Sequence, residues 1–417
     1  MNSGPACRFL HCSDLHLGAD RYNCPRRIED FFEAFEWVLR VAAAEHVDFV
    51  LAAGDLFDRR QIQPVILQRT TEILRAFSPS IPVITTSGNH DRSLLTGHTT
   101  WMDYLCHEGL TIHLDMEPGE SDTVGLRGWD SKRRRGAVLE LPGARIVGLG
   151  YLGAAIKPKL EQVGKVLRSL PEKKPVIAML HAGLLGGVHA VDGGVTVAEL
   201  SPLIDCCDYI ALGHAHSFHR GHAKVFTPGA VEAVDVGEAD YERGVILAKL
   251  EANGSLDFQR IPYTGRPIIQ RTLHLEPAAC PSPAALPKLV KTLVDEQPAP
   301  ADAIFHLRIR GAVPFDRFAV GIRTIREVID TAVQPLLTLV DIDLTEPDSE
   351  EMEESDPERI ERSVYESLAS GNKCHLPAGE LAAIAGRMQE LLDAGPRVDE
   401  LIAAARRFLK ERAAEAS

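Results

Sequence analysis

The sequence predicts an α/β fold, and two observations carry that prediction. Five short Val/Ile/Leu/Ala-rich runs end in glycine or polar residues: "DFVLAAGD" (48–55), "IPVITTSGNHD" (81–91), "ARIVGLGYL" (144–152), "KPVIAMLHAG" (174–183) and "CDYIALGHAH" (207–216). Near-continuous apolar runs of this length read as strands covered on both faces. Between several of them lie amphipathic stretches such as "PRRIEDFFEAFEWVLRVAAAEHV" (25–47) and "PVILQRTTEILRAFS" (64–78). Strand and helix patterns in alternation define α/β layers. Functional groups in open α/β sheets gather just beyond the carboxyl ends of strands, so chemistry is expected where each run stops.

The pattern divides the chain into three parts. Residues 1–268 hold the alternating runs. Over 269–345, "AIFHLRIRG", "DRFAVGIRTIREVIDTA" and "PLLTLVDIDL" predict a small β-α-β-α-β unit. Residues 346–417 carry most of an acidic block, "DIDLTEPDSEEMEESDPERIE" (341–361), which reads as a solvated tether. Two or three amphipathic helices are expected after it. No internal repeat is present.

The 417 residues suffice for two or three domains. A net charge of −14 at first argues against a nucleic-acid partner, since phosphate contacts dominate such binding. The acidic block, where only Arg359 opposes the carboxylates, carries much of that excess, so the overall charge excludes little. No apolar run approaches the roughly 18 residues of a membrane span. The opening "MNSGPACRFLHCSDLHLG" lacks the basic start and long apolar core of a secretory signal. The eight cysteines include no Cys-x-x-Cys pair, and adjacent Cys206 and Cys207 fit a disulfide framework poorly. A reduced, cytoplasmic protein without membrane contact is the expectation.

Five strand-end clusters then stand out: "SDLH" (Asp14, His16), "GDLFDRR" (Asp55, Asp58, Arg59), "GNHD" (Asn89, His90, Asp91), "LHAG" (His181) and "GHAH" (His214, His216). Asp-x-His at the end of an extended strand aims both side chains one way. The same spacing recurs in His214-x-His216, where a turn could aim the two rings at different ions. Gly54, Gly88 and Gly213 permit turns with positive φ and close backbone approach. Each piece alone is weak, because a lone histidine is more often a core or surface residue than a ligand. Five clusters of carboxylate, imidazole and amide groups, all ending apolar runs, point together to a shared metal site. Asp, Asn and His suit Mn²⁺, Fe²⁺ or Zn²⁺ better than a calcium cage or a thiolate zinc site.

In order, D-x-H, G-D-x-x-D-R, G-N-H-D, a lone histidine after a strand and G-H-x-H resemble the five motifs of the calcineurin-like metallophosphoesterases. The resemblance covers about residues 7–250. "FLHCSDLHLG", "LAAGDLFDRR", "TSGNHDR" and "YIALGHAHSFHR…VFTPGAVEAVDVGEADYERGVIL" narrow it to DNA double-strand-break repair exonucleases of the SbcD type, particularly their shorter YhaO-like branch. It implies an α/β/β/α sandwich with a small α/β capping domain and a C-terminal helical segment. It implies two divalent ions, Mn²⁺ first. One would be held by Asp14, His16 and His216, the other by Asn89, His181 and His214, with Asp55 bridging. His90 is implied as general acid or transition-state stabiliser, and Asp58 as the group holding its other nitrogen, where some nuclease relatives carry a histidine. Arg59 is implied to contact a phosphate oxygen, against the alternative of a surface salt bridge. Linear duplex DNA ends, an SMC-like coiled-coil ATPase subunit bound by the terminal helices, and a homodimer are the implied partners. The same five motifs also serve small-molecule phosphodiesterases and phosphatases, the alternative function, while a catalytically dead binding scaffold is disfavoured by the full ligand set.

Other groups receive structural readings. His11, on the strand itself, is expected to pack or to support the site. His189, His219 and His222 are expected in exposed loops. Lys132, Arg133, Arg134 and Arg135 form a charged loop that is either simply solvated or tracks a DNA backbone.

Overall fold

The structure, a computed structural model, describes residues 7–77, 81–92, 99–118, 124–170, 174–185 and 194–345. His189 and the tether and helices expected over 346–417 lie outside the described residues. Strand β1 (Cys7–Cys12) is followed by α1 (Arg26–Ala44), β2 (Phe49–Ala52), α2 (Pro64–Phe77), β3 (Val83–Thr85), α3 (Trp101–His107) and β4 (Ile112–His113). A small antiparallel pair, β5 (Glu117–Pro118) and β6 (Val124–Gly125), comes next. Then follow β7 (Val138–Glu140), β8 (Arg145–Gly148), α4 (Lys157–Ser169), β9 (Val176–Leu180), α5 (Ser201–Ile204) and β10 (Tyr209–Leu212). Strands β11 (His219–His222), β12 (Val225–Thr227), β13 (Gly244–Leu250) and β14 (Leu256–Pro262) continue the chain. The five apolar runs are thus β2, β3, β8, β9 and β10.

Two six-stranded sheets result, ordered β14-β13-β1-β2-β3-β4 and β11-β12-β10-β9-β8-β7. Neighbours from β1 to β4 are parallel, as are β8, β9, β10 and β12. The flanking pairings of β13, β14, β7 and β11 are antiparallel. These are the part of the topology that alternation of strand and helix patterns does not register. Between β13 and β14 the chain turns back through Glu251–Ser255, with Glu251 N–H donating to Ser255 O at 2.9 Å. A connection that short permits only an antiparallel neighbour.

Side-chain alternation explains the layering. Phe9, Phe49, Leu51 and Ile84 of the first sheet share a core with Ile177, Met179, Tyr209 and Phe226 of the second. The opposite parity, Leu10, Val50 and Ala52, packs with Phe32, Phe35 and Val38 of α1 and Leu74 of α2. In the second sheet Val176, Ala178, Leu180 and Ile210 pack with Leu160, Val163 and Leu167 of α4. Each central strand therefore buries both faces, one on helices and one on the other sheet. The result is an α/β/β/α sandwich. The inter-sheet layer includes parallel ring stacks, Phe9 on Phe49 (centroids 5.3 Å apart) and Tyr209 on Phe226 (4.8 Å). Truncating one of these rings to alanine costs about 3–5 kcal/mol.

The last described elements run β15 (Ile268–Leu275), α6 (Leu286–Glu296), β16 (Ile304–Ala312), α7 (Ile322–Val333) and β17 (Leu337–Thr345), with a sheet ordered β15-β16-β17. Helices α6 and α7 pack together; Leu286, Val290 and Val294 on one and Ile325, Ile329 and Val333 on the other are buried at four-residue spacing. The chain forms two compact units, the first comprising Met1–His274, Pro283–Arg310 and Val320–Asp343. The second comprises Leu275–Ser282, Gly311–Ala319 and Leu344–Ser417; within it Val313 N–H donates to Thr345 O at 2.9 Å. Every residue of the site described next belongs to the first.

Candidate metal centre

The loops after β1, β2 and β3 deliver Asp14, His16, Asp55, Asn89 and His90, and those after β9 and β10 deliver His181, His214 and His216. Asp14 and His16 do not converge by strand alternation, as the sequence suggested. Both have left-handed backbones, with φ of 54° and 44°, and the chain has left the extended conformation by Asp14. What aims them is the neighbouring loop: Asp14 N–H donates to Gly54 O (3.1 Å), His16 N–H to Asp55 O (3.1 Å) and Leu17 N–H to Leu56 O (2.9 Å). Asp55 (φ 52°) and His214 (φ 77°) are left-handed too. Each such residue costs on the order of 1 kcal/mol or more, and that strain clusters at functional loops.

Close approach explains the glycines. Gly54 has φ +90°, and a Cβ there would lie 2.3 Å from His181 Nδ1. Gly88 and Gly213 are not left-handed; a Cβ at Gly88 would fall 1.9 Å from Asp55 Oδ1, and one at Gly213 2.1 Å from Ala53 O. Their role is space for the site rather than turn geometry.

The side chains meet as two overlapping sets. Donor atoms of Asp14, His16 and His216 all lie within 4.8 Å of one another, and so do those of Asp55, His181 and His214. A third set, His16, Asp55 and His90, overlaps both. Asp55 Oδ2 is 3.2 Å from His181 Nε2 and 4.0 Å from both His16 Nε2 and His90 Nε2. Asn89 Oδ1 adds an oxygen 3.2 Å from His181 Nε2. The second sheet also grips the first: His214 N–H donates to both oxygens of Asp14, each at 3.1 Å.

The donor chemistry fits divalent cations. His16 Nε2 and His216 Nε2 face each other at 3.2 Å. Their Nδ1 atoms face carboxylates, Asp58 Oδ1 at 3.5 Å and Glu238 Oε1 at 2.7 Å. With protons on both Nδ1 atoms, two lone pairs oppose each other, an arrangement a cation between them relieves. His181 Nδ1 donates to Ala53 O (2.8 Å), which turns its Nε2 towards two oxygens that can only accept from it.

Electrostatics in the metal-free site follow. Burial would raise the Asp55 carboxyl, but His181, His16 and His90 outweigh it and hold Asp55 well below the usual carboxylate range. Burial would lower His181, yet Asp55 and Asp14 pull it up to about 9. His216 is raised as well, against its burial, chiefly by Glu238 and Asp14. At neutral pH His181 carries a proton that an entering ion displaces.

Two expectations are corrected. The Asp58 carboxylate does not hold His90. His90 Nδ1 donates to the backbone carbonyl of Asp58 and His90 N–H to Asp55 Oδ1 (2.9 Å), whereas the Asp58 carboxylate faces His16 and Arg59. Left-handed Asp55 turns the following loop so that the Asp58 peptide, not its side chain, reaches His90. Arg59 is an exposed ion-pair residue, bound to Asp20 (2.5 Å) and Asp58 (3.3 Å), which is the salt-bridge alternative.

Sequence reasoning missed three contributors. Glu238, 22 residues beyond His216, has no local signal linking it to the site. Asp91 was seen only as the end of GNHD; it braces the loops, accepting from Gly88 N–H (2.9 Å), Phe57 N–H (3.2 Å) and Leu56 N–H (3.3 Å). Burial and then Asp55 push it up to about 6. Tyr151, just past β8, places its ring 5.6 Å from that of His214 and 6.0 Å from that of His181. His11 is a packing residue, buried against Tyr209 OH (2.9 Å) and Leu212 O (3.1 Å) and kept neutral by burial, which lowers it to about 3. Lys132 and Arg133 lie in an exposed turn whose backbone N–H groups donate to Asp130 Oδ1, and the Arg134 guanidinium donates to Cys106 O (3.0 Å). His219 and His222, expected in loops, form the ends of β11.

A two-sheet sandwich with carboxylate, amide and imidazole donors converging from five strand ends defines a metal-dependent phosphoesterase. A family model described as calcineurin-like phosphoesterase matches residues 7–218, just over half of the chain, and the chain belongs to that family. It is 30% identical over 244 residues to the DNA double-strand break repair protein Mre11 of Archaeoglobus fulgidus, covering 56% of this chain and 52% of that protein. Over 237 residues it is 34% identical to the Mre11 protein of Methanosarcina mazei, covering 56% and 34%. Similarity to the SbcD component of nuclease SbcCD from Rhodobacter capsulatus extends further, 27% identity over 402 residues, 87% of this chain and 93% of that one. The chain spans about half the length, or less, of these archaeal relatives. Among the described residues no helix is long and apolar enough to cross a membrane.

Proposed function

We propose that this protein is a Mn²⁺-dependent DNA exonuclease of double-strand-break repair, acting on linear duplex ends. The observation that supports the reading most is the convergence of two donor sets on the shared Asp55 carboxylate. Asp14, His16 and His216 hold one ion, and Asn89, His181 and His214 the other, with Asp55 between them. Two divalent ions supply Lewis acidity to a phosphodiester and make water acidic enough to attack it at neutral pH.

The chain's own residues do the remainder. Asp14 and Asp55 stay ionised and set the charge of the site. His90 is half-buried, its Nδ1 committed to the Asp58 carbonyl, so Nε2 is the atom that gives a proton to the leaving oxygen. The SbcD relative, alike over almost its whole length, favours DNA as substrate and an SMC-like coiled-coil ATPase as partner, bound through residues beyond 345. Residues 269–345 act as a capping domain that selects DNA over small phosphates, the protein works in the cytoplasm, and a homodimer is the proposed assembly.

The test is Mn²⁺-dependent digestion of an end-labelled linear duplex beside bis-p-nitrophenyl phosphate, with a His90→Gln control. Shortening of the duplex by the wild type alone, with metal content equal in both proteins, supports the proposal. Turnover of the small diester with every DNA end intact, with and without an ATPase partner, moves the assignment to a small-molecule phosphodiesterase.

A further inference from the structure

The histidines at the centre are backed by different groups. His216 directs Nδ1 at Glu238 Oε1, 2.7 Å away, while the other oxygen of that carboxylate accepts Val234 N–H at 2.8 Å. Glu238 thus receives two donors at once, one on each oxygen, something a carboxylate does and a side-chain amide cannot. His16 also has a carboxylate behind its Nδ1, Asp58 at 3.5 Å, longer than a full hydrogen bond. His181 has only the neutral carbonyl of Ala53.

The loop that carries Glu238 is itself tied down. Arg27, almost fully buried, donates to Ala233 O from its guanidinium. The Tyr22 hydroxyl donates to Asp235 Oδ2 (2.8 Å) and accepts Val236 N–H (2.9 Å). The carboxylate therefore reaches His216 from a loop fastened at several positions just before it. A carboxylate behind a ligating imidazole fixes its tautomer and makes its free nitrogen a stronger donor.

We infer that Glu238 is a positioning residue for His216, and that the ion position formed by Asp14, His16 and His216 fills before the one formed by Asn89, His181 and His214. The charge count points the same way. The first position has the Asp14 carboxylate and two backing carboxylates, Asp58 and Glu238, whereas the second has a neutral amide, Asn89, and a carbonyl-backed imidazole. The shared Asp55 does not distinguish them.

This inference rests on the two-ion reading, and a titration of the metal-free protein with Mn²⁺ separates the two ideas. Calorimetry combined with Mn²⁺ electron paramagnetic resonance counts ions without any assay of turnover. Wild type is expected to bind two ions in two resolved steps. Glu238→Gln, which can accept only one of the two donors, should weaken the tighter step about 10-fold, and Glu238→Ala up to about 100-fold, with the weaker step unchanged. Glu238→Asp is expected to recover part of the loss. Equal weakening of both steps, or of the weaker one alone, overturns the inference and leaves the two-ion site standing. Binding of fewer than two ions by the wild type defeats the two-ion reading itself. Thermal melting of each metal-free variant shows whether the fold is retained, and Glu238→Gln carries the test should Glu238→Ala fail to fold.

Discussion

The two sheets contribute different chemistry to one site. Loops of the first supply both carboxylates, Asp14 and Asp55, together with Asn89, His16 and His90; loops of the second supply only imidazoles, His181, His214 and His216. The first-sheet loops lock to each other through backbone bonds from Asp14, His16 and Leu17. The second-sheet loops reach across, His214 N–H to Asp14 and His181 Nδ1 to Ala53 O. Negative charge is thus held by one rigid bundle of strained loops, and imidazole donors are brought to it. Such a division keeps two carboxylates close without requiring either sheet to bury that charge alone.

Removing one donor from each side is the most severe test of that division. Asp55→Asn takes away the only carboxylate shared by both donor sets and should lower phosphodiester turnover about 10³-fold or more, roughly 4 kcal/mol of barrier, with both ions weakened. His181→Ala should lose one ion and keep the other. Elemental analysis after gel filtration reads the difference, and loss of both ions from His181→Ala would end the distinction between the sheets. His90→Gln comes next, with turnover falling about 10²- to 10⁴-fold and metal content unchanged.

Smaller effects are expected elsewhere. Gly54→Ala forces a side chain into the left-handed region and against His181, so about 3 kcal/mol of stability should disappear, read as a shift in denaturant midpoint. The pH dependence concerns His181. Its folded value is raised to about 9, so its pairing with Asp55 stabilises the metal-free protein fully below the unfolded value near 6.5. That contribution fades as pH rises towards 9, by at most about 1.4 kcal/mol per pH unit. Chemical denaturation of the chelated protein across pH 6 to 10 should show this slope, and His181→Gln should flatten it. Arg59→Ala is expected to do least, because its ion pairs are exposed and worth under about 1 kcal/mol. A large loss of DNA cleavage with unchanged cleavage of a small diester would show that Arg59 touches the nucleic acid after all.

Legibility followed the range of the interactions. The five runs announced their strands because burial on both faces leaves them almost without polar residues, and the ligands were visible because each ends such a run. The antiparallel edges were less legible, since "GVILAKL" and "LDFQRIP" (244–250 and 256–262) flank a five-residue turn rather than a helix. Asp58 shows a subtler limit. Its spacing from Asp55 suited a partner for His90, but a left-handed residue between strand and loop exchanged the roles of its side chain and its peptide. Glu238 and Tyr22 gave no sign, because their importance lies in contacts made across about 20 and about 210 residues of chain.

Local pattern and side-chain chemistry were enough to set the class of layers, the ends of the central strands and the identity of the donors. Only the assembled fold settled which nitrogen of each histidine faces the site, which carboxylate backs which ring, and which oxygen both donor sets share. Those outcomes depend on loops from two sheets meeting within a few ångströms. Their strained backbones are stable only because the packed sandwich beneath them holds the strand ends in place.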